Sequence, residues 1–446
     1  ALSGLLLVLP ALWNGFPLLQ YDTGGYLARW YEGTLVPSRP GAYGLLLAAA
    51  APLDFWPVAA GQAAAAVWIL HLMLRTHGLG GRPMLMLGLS GLLAITTALP
   101  WLASLLLTDI FAGLAVLALY LLVLRGETIG RTERCGLVAL VAFAAATHGA
   151  TFLLLAGLTV TAGFAYLLRR AAVSRSGLAR GVTALAVGLA LTLAANFAVS
   201  GRLAWTPGGA ALAFGRMLQD GIVARYLDEH CARARLRLCL YKDELPRDAD
   251  EWFWGSDLFD ELGRFAGLNR EMETIVFASL EDYPWMQTKA AARAFARQLV
   301  AVGTGEGVVN WIWHTYAIIE KFTPGAAPAM RAARQQTSGF YFWETINRLH
   351  VPVALAAMLL LPILLTVGRL RKPLADIGAL AATTSLAIVG NAAICGILSN
   401  PHDRYGARIA WLAVLTVAIA AARVAFAAAP PSSTRASAQR ASSRIA

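Results

Sequence analysis

The chain has 446 residues, of which 58% are hydrophobic and only 14% charged, well short of the roughly 25% charged residues of a soluble domain. The apolar residues gather in runs of about 18 to 25, long enough to cross a hydrocarbon core of about 30 Å, which excludes an ordinary soluble protein. The net charge of +11 does not signal nucleic acid, because Arg and Lys lie in short hinges between apolar runs and form no basic face interleaved with aromatics.

In chain order, the runs predict about ten spanning helices near 2–19, 56–74, 83–99, 107–124, 135–149, 151–168, 181–199, 350–368, 374–396 and 407–427. The first lacks a small-residue cleavage site and reads as a spanning helix rather than a removed signal peptide. Residues 41–53 are apolar but short, which predicts a re-entrant or interfacial helix. The basic hinges are Arg75 with Arg82, Arg125 to Arg134, Arg169 to Arg180, and Arg369 to Lys372. Under the positive-inside rule they face the cytoplasm. The outer set is then 20–55, 100–106, the region around 150, 200–349 and 397–406.

Residues 200–349 carry 18 of the 26 acidic residues and predict a small, mainly helical extracytoplasmic domain. Within it, Lys289, Arg293 and Arg297 recur at helical spacing over Gln287 to Val300. That helix reads either as a solvated basic face or as an interfacial helix with Phe295 and Leu299 toward lipid. The expected organisation is an N-terminal transmembrane module, 1–199, with its first outer loop at 20–55. The outer domain, 200–349, and C-terminal transmembrane helices, 350–429, follow. A Ser-, Ala- and Arg-rich segment, 430–446, reads as a disordered cytoplasmic tail.

Cys231 and Cys239 have seven residues between them in the outer domain, where disulfides are permitted; a bridge and free or metal-bound thiols are the alternatives. No histidine spacing suggests a metal site. His148, in "AATHGAT", stands apart because it sits at the outer end of an apolar helix, as a packing residue or a substrate contact.

Three acids stand out, because a carboxylate beside hydrocarbon is costly. Asp22 follows the first span in "LLQYDTGGYLARWYEG", Asp109 opens the fourth in "SLLLTDIFAGL", and Asp403 precedes the last in "SNPHDRYGARIAWL" with His402, Arg404, Tyr405 and Arg408. The topology brings all three to one membrane face. A carboxylate there serves as a general base or holds a divalent metal, and a neighbouring Arg grips phosphate with a planar fork. Each also has a plain structural reading: Asp22 as a cap with Thr23, Gly24 and Gly25 in a turn, Asp109 as a first-turn acid on its helix dipole, and Asp403–Arg404 as a loop ion pair.

The motifs "YDTGGYL" (Tyr21 to Leu27), "LLTDIFAGL" (Leu106 to Leu114) and "NPHDRYGAR" (Asn400 to Arg408) resemble, in kind and order, those of the GT-C superfamily of membrane glycosyltransferases. The resemblance covers the membrane part and not 200–349. Thr23 follows Asp22 where some members carry an acidic pair, and Gly406 stands near the position where many carry Pro. The resemblance implies an all-α polytopic fold and a polyprenyl-phosphate sugar donor reached from the bilayer. The acceptor would be an extracytoplasmic glycan, lipid or protein, at a bacterial inner membrane.

It also implies Asp22 as catalytic base and Asp109 as the second acid, with a divalent cation (Mg or Mn) at Asp22 and Asp109. Arg404 would meet the donor phosphate; apart from the resemblance, His402, Asp403, Tyr405, His148 and Tyr26 are read as substrate contacts from their place on the same membrane face. Two rivals are a lipid-linked glycan transporter or flippase, and a non-catalytic assembly protein whose "DEWFWGSDLF" segment docks a partner.

Overall fold

The computed structural model describes residues 1–37, 39–169, 173–206 and 209–428; the expected tail, 430–446, lies outside them. Among these residues there is no strand, only isolated bridges at Leu18–Leu105 and Val36–Arg39. The protein is an all-α membrane protein. Six helices are long and apolar enough to cross a bilayer: Trp56–Thr76, Gly149–Leu167, Arg175–Ser200, Trp343–Leu370, Lys372–Ile397 and Asp403–Phe426. Shorter apolar helices cover Leu2–Asn14, Gly41–Leu53, Pro83–Thr96 and Asp109–Leu124.

The N-terminal helices are α1 (Leu2–Asn14), α2 (Tyr21–Glu32), α3 (Gly41–Ala50), α4 (Trp56–Thr76), α5 (Pro83–Thr96), α6 (Leu99–Ser104), α7 (Asp109–Leu124), α8 (Arg131–Thr147), α9 (Gly149–Leu167) and α10 (Arg175–Ser200). Punctuation residues set their ends. Proline opens α4, α5 and α6, where a missing N–H costs nothing. Glycine in the left-handed conformation closes α1, α2 and α10 at Gly15, Gly33 and Gly201. Helix α7 is apolar on every side and buried over almost its whole length, as such a helix must be. It packs against α4, α8, α9, α10 and the last helices of the chain.

The central segment folds into α11 (Gly209–Gln219), α12 (Ile222–His230), α13 (Asp257–Glu261), α14 (Arg264–Asp282), α15 (Pro284–Val300), α16 (Trp313–Phe322), α17 (Ala327–Ala332) and α18 (Arg334–Thr337). Its packing divides in two. Residues from Ala211 to Ala290 surround their own core, centred on Phe214, Trp252, Phe259 and Met272. Residues from Val308 to Phe340 belong instead to the main core of the membrane module. Cys231 and Cys239 are joined by a disulfide in the first of these units. Helix α15 turns Ala290, Ala294 and Gln298 inward and leaves Lys289, Arg293 and Arg297 exposed.

The chain closes with α19 (Trp343–Leu370), α20 (Ala375–Ala392) and α21 (Asp403–Ala428). Helices α19 and α20 cross where Gly368 faces Gly378, with no room for a Cβ on either, the small-residue contact that lets membrane helices approach closely. Helix α21 begins at Asp403, four residues before the expected start of the last span. The motif read as loop is therefore the first turn of a helix.

Candidate functional site

Asp22 is positioned by a set of local bonds. Gln20 caps α2, its side chain accepting the Asp22 N–H at 2.7 Å. Thr23 Oγ1 accepts the Gln20 N–H at 3.1 Å and donates to the Leu106 carbonyl at 3.0 Å. An acid at position 23, as in some GT-C members, would have no proton for Leu106. Asp22 is therefore not the cap, and Gly24 and Gly25 form no turn: both lie inside α2. A Cβ on Gly24 would strike the backbone of Thr315 on α16, and Thr315 Oγ1 donates to the carbonyls of Gln20 and Tyr21 at 3.2 Å. Gln335 fixes the preceding loop from the other side through both the N–H and carbonyl of Leu19.

So held, the Asp22 carboxylate lies between two guanidinium groups from distant parts of the chain. Arg404 Nη2 donates to Oδ2 at 2.8 Å, and Arg39 Nη2 donates to Oδ1. All three side chains are largely buried, at 15–17% exposure. Burial alone would raise the Asp22 pKa, but the Arg39 and Arg404 charges outweigh it and hold the carboxyl well below the usual range. Arg39 also stacks over the Trp254 ring, 4.8 Å from its centroid, which ties the clamp to the unit that holds the disulfide.

The motif around Arg404 is fixed by a segment that the sequence left unmarked. Glu306 accepts the Arg404 backbone N–H at 2.8 Å and pairs with His402 Nδ1 at 2.7 Å, while Asp250 stands 3.5 Å from His402 Nε2. Gln298 bonds both the N–H and the carbonyl of His402. Asp403 accepts the Gly303 N–H at 2.8 Å and pairs with neither Arg39 nor Arg404; it anchors the start of α21. The Tyr405 ring lies beneath both guanidinium groups of α21, Arg404 at 4.9 Å and Arg408 at 5.3 Å.

Arg408 sits one turn below Arg404 and meets Asp109. Its Nη1 donates to Asp109 Oδ1 at 3.2 Å, with both side chains at most 3% exposed. Its other nitrogens reach Asn391 Oδ1 at 2.8 and 3.2 Å and Cys395 Sγ at 3.1 Å. Asp109 Oδ2 is buried without a partner. Asp22 and Asp109 are therefore held by successive turns of α21, the first at the partly exposed rim of the bundle and the second inside it. Tyr26 joins them, its hydroxyl 3.4 Å from Thr108 Oγ1. His148, between α8 and α9, is buried with Nδ1 unpartnered and is close enough to feel the charges of Arg408, Arg404 and Asp22.

The structure thus gathers Asp22, Asp109, Arg404, Tyr405, Tyr26, His148 and His402 into one region and leaves Cys231 and Cys239 outside it. Arg39 and Glu306 are additions. Arg39 lies between two prolines in "PSRPG" and Glu306 between glycines in "GTGEG", so neither has a periodic pattern to mark it. The space beside Arg404 and Asp109, walled by Trp101, Leu105 and Trp343, is a cleft of about 30 Å³, room for about one water. No family model, curated protein or solved structure matches the chain.

Proposed function

We propose that the protein is a membrane glycosyltransferase of GT-C type, transferring a sugar from a polyprenyl-phosphate donor to an extracytoplasmic acceptor. In this reading the six long helices and α1, α5, α7 and α8 make ten crossings of a bacterial inner membrane. The observation that carries it is the Asp22 carboxylate held between Arg39 and Arg404 at the acid-rich end of the bundle. Two converging guanidinium groups are a ready grip for a phosphate, and the carboxylate between them stands in for that anion.

The chemistry follows from exchange. A donor phosphate takes Arg39 and Arg404 and frees Asp22, which loses the charges that depress its pKa. The carboxylate, now buried and unpaired, becomes a competent base. The acceptor hydroxyl attacks the anomeric carbon and gives its proton to Asp22. The bond from that carbon to the phosphate oxygen breaks, and polyprenyl phosphate leaves with the electron pair.

A divalent cation does not fit these residues. Asp22 faces two guanidinium groups and Asp109 a third, so a dication would meet net positive charge, and no step is routed through one.

The test uses purified protein in liposomes, with a panel of radiolabelled polyprenyl-phosphate hexoses and pentoses. Both Asp22→Asn and Arg404→Gln should lower transfer by about a hundredfold or more. Their binding of polyprenyl phosphate should separate: weaker for Arg404→Gln and tighter for Asp22→Asn, which removes the competing anion. Transfer retained by both variants would sink the assignment. The small cleft and the fully paired Asp22 also favour a second reading, a static clamp in an assembly protein. That reading expects both variants to lose stability without any change in lipid binding.

A further inference from the structure

At the end of the bundle opposite Asp22, three of the four basic hinges meet at an open basin of about 570 Å³. Its walls come from the C-terminal ends of α4 and α7, the start of α20 and the end of α21. Arg75, His77, Arg125, Lys372, Asp376 and Arg423 line it. From Arg404 to Arg423 α21 rises roughly 28 Å, close to the thickness of a hydrocarbon core of about 30 Å. The basin therefore lies at the head-group level of the opposite leaflet.

Charge-flanked helix ends are expected of any membrane protein, so the question is whether these cations are satisfied. Two are. Arg75 forks onto Glu133 at 2.8 and 2.5 Å, and Arg423 pairs with Asp376 at 2.7 Å while donating to the His77 and Pro373 carbonyls. Two are not. Among the described residues Arg125 and Lys372 have no carboxylate partner. Arg125 donates one Nη to the Thr76 carbonyl, and its Nε is buried with no partner at all. A buried guanidinium N–H left unpaired is costly, and it belongs to a side chain that lines the same concave site as Lys372.

We infer that this basin is a binding site for a phosphoryl group, gripped by Arg125 and Lys372. Its depth in the membrane matches the phosphate of an anionic lipid head-group in that leaflet, and a free phosphate carries the same chemistry. The site is independent of the Asp22 centre, sharing only the helices that connect them.

The experiment titrates purified full-length protein in neutral detergent with phosphatidylglycerol, phosphatidylcholine and sodium pyrophosphate, read by native mass spectrometry and thermal shift. Phosphatidylglycerol should be retained in preference to phosphatidylcholine, and Lys372→Gln should weaken it about tenfold, the loss of one charge-assisted contact. Arg125→Gln should do the same, and Lys372→Gln guards against a folding defect because Lys372 has no ion pair to lose. Pyrophosphate bound with the same Lys372 dependence, and lipid not, would assign the site to a soluble phosphate. Wild-type protein that binds neither probe better than phosphatidylcholine, or variants that bind as wild type does, would overturn the proposal.

Discussion

At the residue scale, Asp109 and Arg408 are a buried ion pair whose geometry is imperfect on one side. Asp109 Oδ2 has no partner, whereas Arg408 is shared with Asn391 and Cys395. Breaking such a pair strands a charge and typically costs about 3–5 kcal/mol. Asp109→Ala should therefore lower the melting temperature sharply, and Arg408→Met added to it should recover part of the loss. An Asp109→Ala protein with unchanged melting and no transfer would return Asp109 to a catalytic role. The sequence marks both residues, but their partnership depends on the helical register from 403 to 408, which a run of Asn, Pro and His conceals.

The His402–Glu306 pair lies outside the spans and carries a pH signature. Burial would lower the His402 pKa, but Glu306, with Asp250 behind it, raises it above the ordinary 6.5. Burial would raise Glu306, but His402 and the Arg404 N–H hold it below the ordinary 4.5. A raised histidine contributes fully below its ordinary value and is lost as pH climbs through its folded value. A lowered carboxylate contributes above its ordinary value and is lost as pH falls through its folded one. The pair is thus intact between about pH 4.5 and 6.5 and weakens on both sides. The difference in melting temperature between wild type and His402→Gln should peak in that window and shrink toward pH 9. A difference that stays flat across the range would mean that the imidazole never takes its proton.

At the element scale, α21 is the part on which the site depends. Its first turn crosses the 301–306 segment so closely that a Cβ on Gly406 would fall 1.8 Å from the Ala301 carbonyl oxygen. This explains glycine at a position where the resemblance leads one to look for proline. Overpacking typically costs about 1–3 kcal/mol, and here the obstacle is backbone that cannot rotate away. Gly406→Ala should lower thermal stability by at least that much and displace Arg404 from Asp22, which polyprenyl-phosphate binding would report as a weakened affinity. Stability and binding both equal to wild type would mean that α21 sits farther from Ala301.

The apolar cores of such helices are legible because bilayer thickness sets their length and hydrophobicity marks them. Their ends are not: the start of α21 is held by Asp403 accepting the N–H of Gly303, a hundred residues away in the chain, which no local pattern encodes. Arg39 illustrates the same limit: its role comes from a fold-back between prolines that no local period encodes.

At the scale of the whole molecule, charge separates the two ends more cleanly than any single motif does. The Asp22 end carries the acid-rich unit with its own core, and the other end carries the basin with Arg125 and Lys372. The ends of α4, α7, α20 and α21 agree on this division, so the asymmetry belongs to the bundle and not to one loop. Short basic loops resist translocation, and long acidic domains do not; on that ground the basin end should be cytoplasmic and the Asp22 end outside. Glu344, 82% exposed at the start of α19, reports one end, and Arg131, exposed at the start of α8, reports the other. In a Cys135→Ser background, a membrane-impermeant maleimide applied to intact cells should label Glu344→Cys and spare Arg131→Cys until the membrane is opened. The reverse pattern would put Asp22 in the cytoplasm and, with it, any transfer reaction. A donor reached from the outer leaflet could then not meet Arg404, and the glycosyltransferase reading in its extracytoplasmic form would fail at the level of topology before any assay of chemistry.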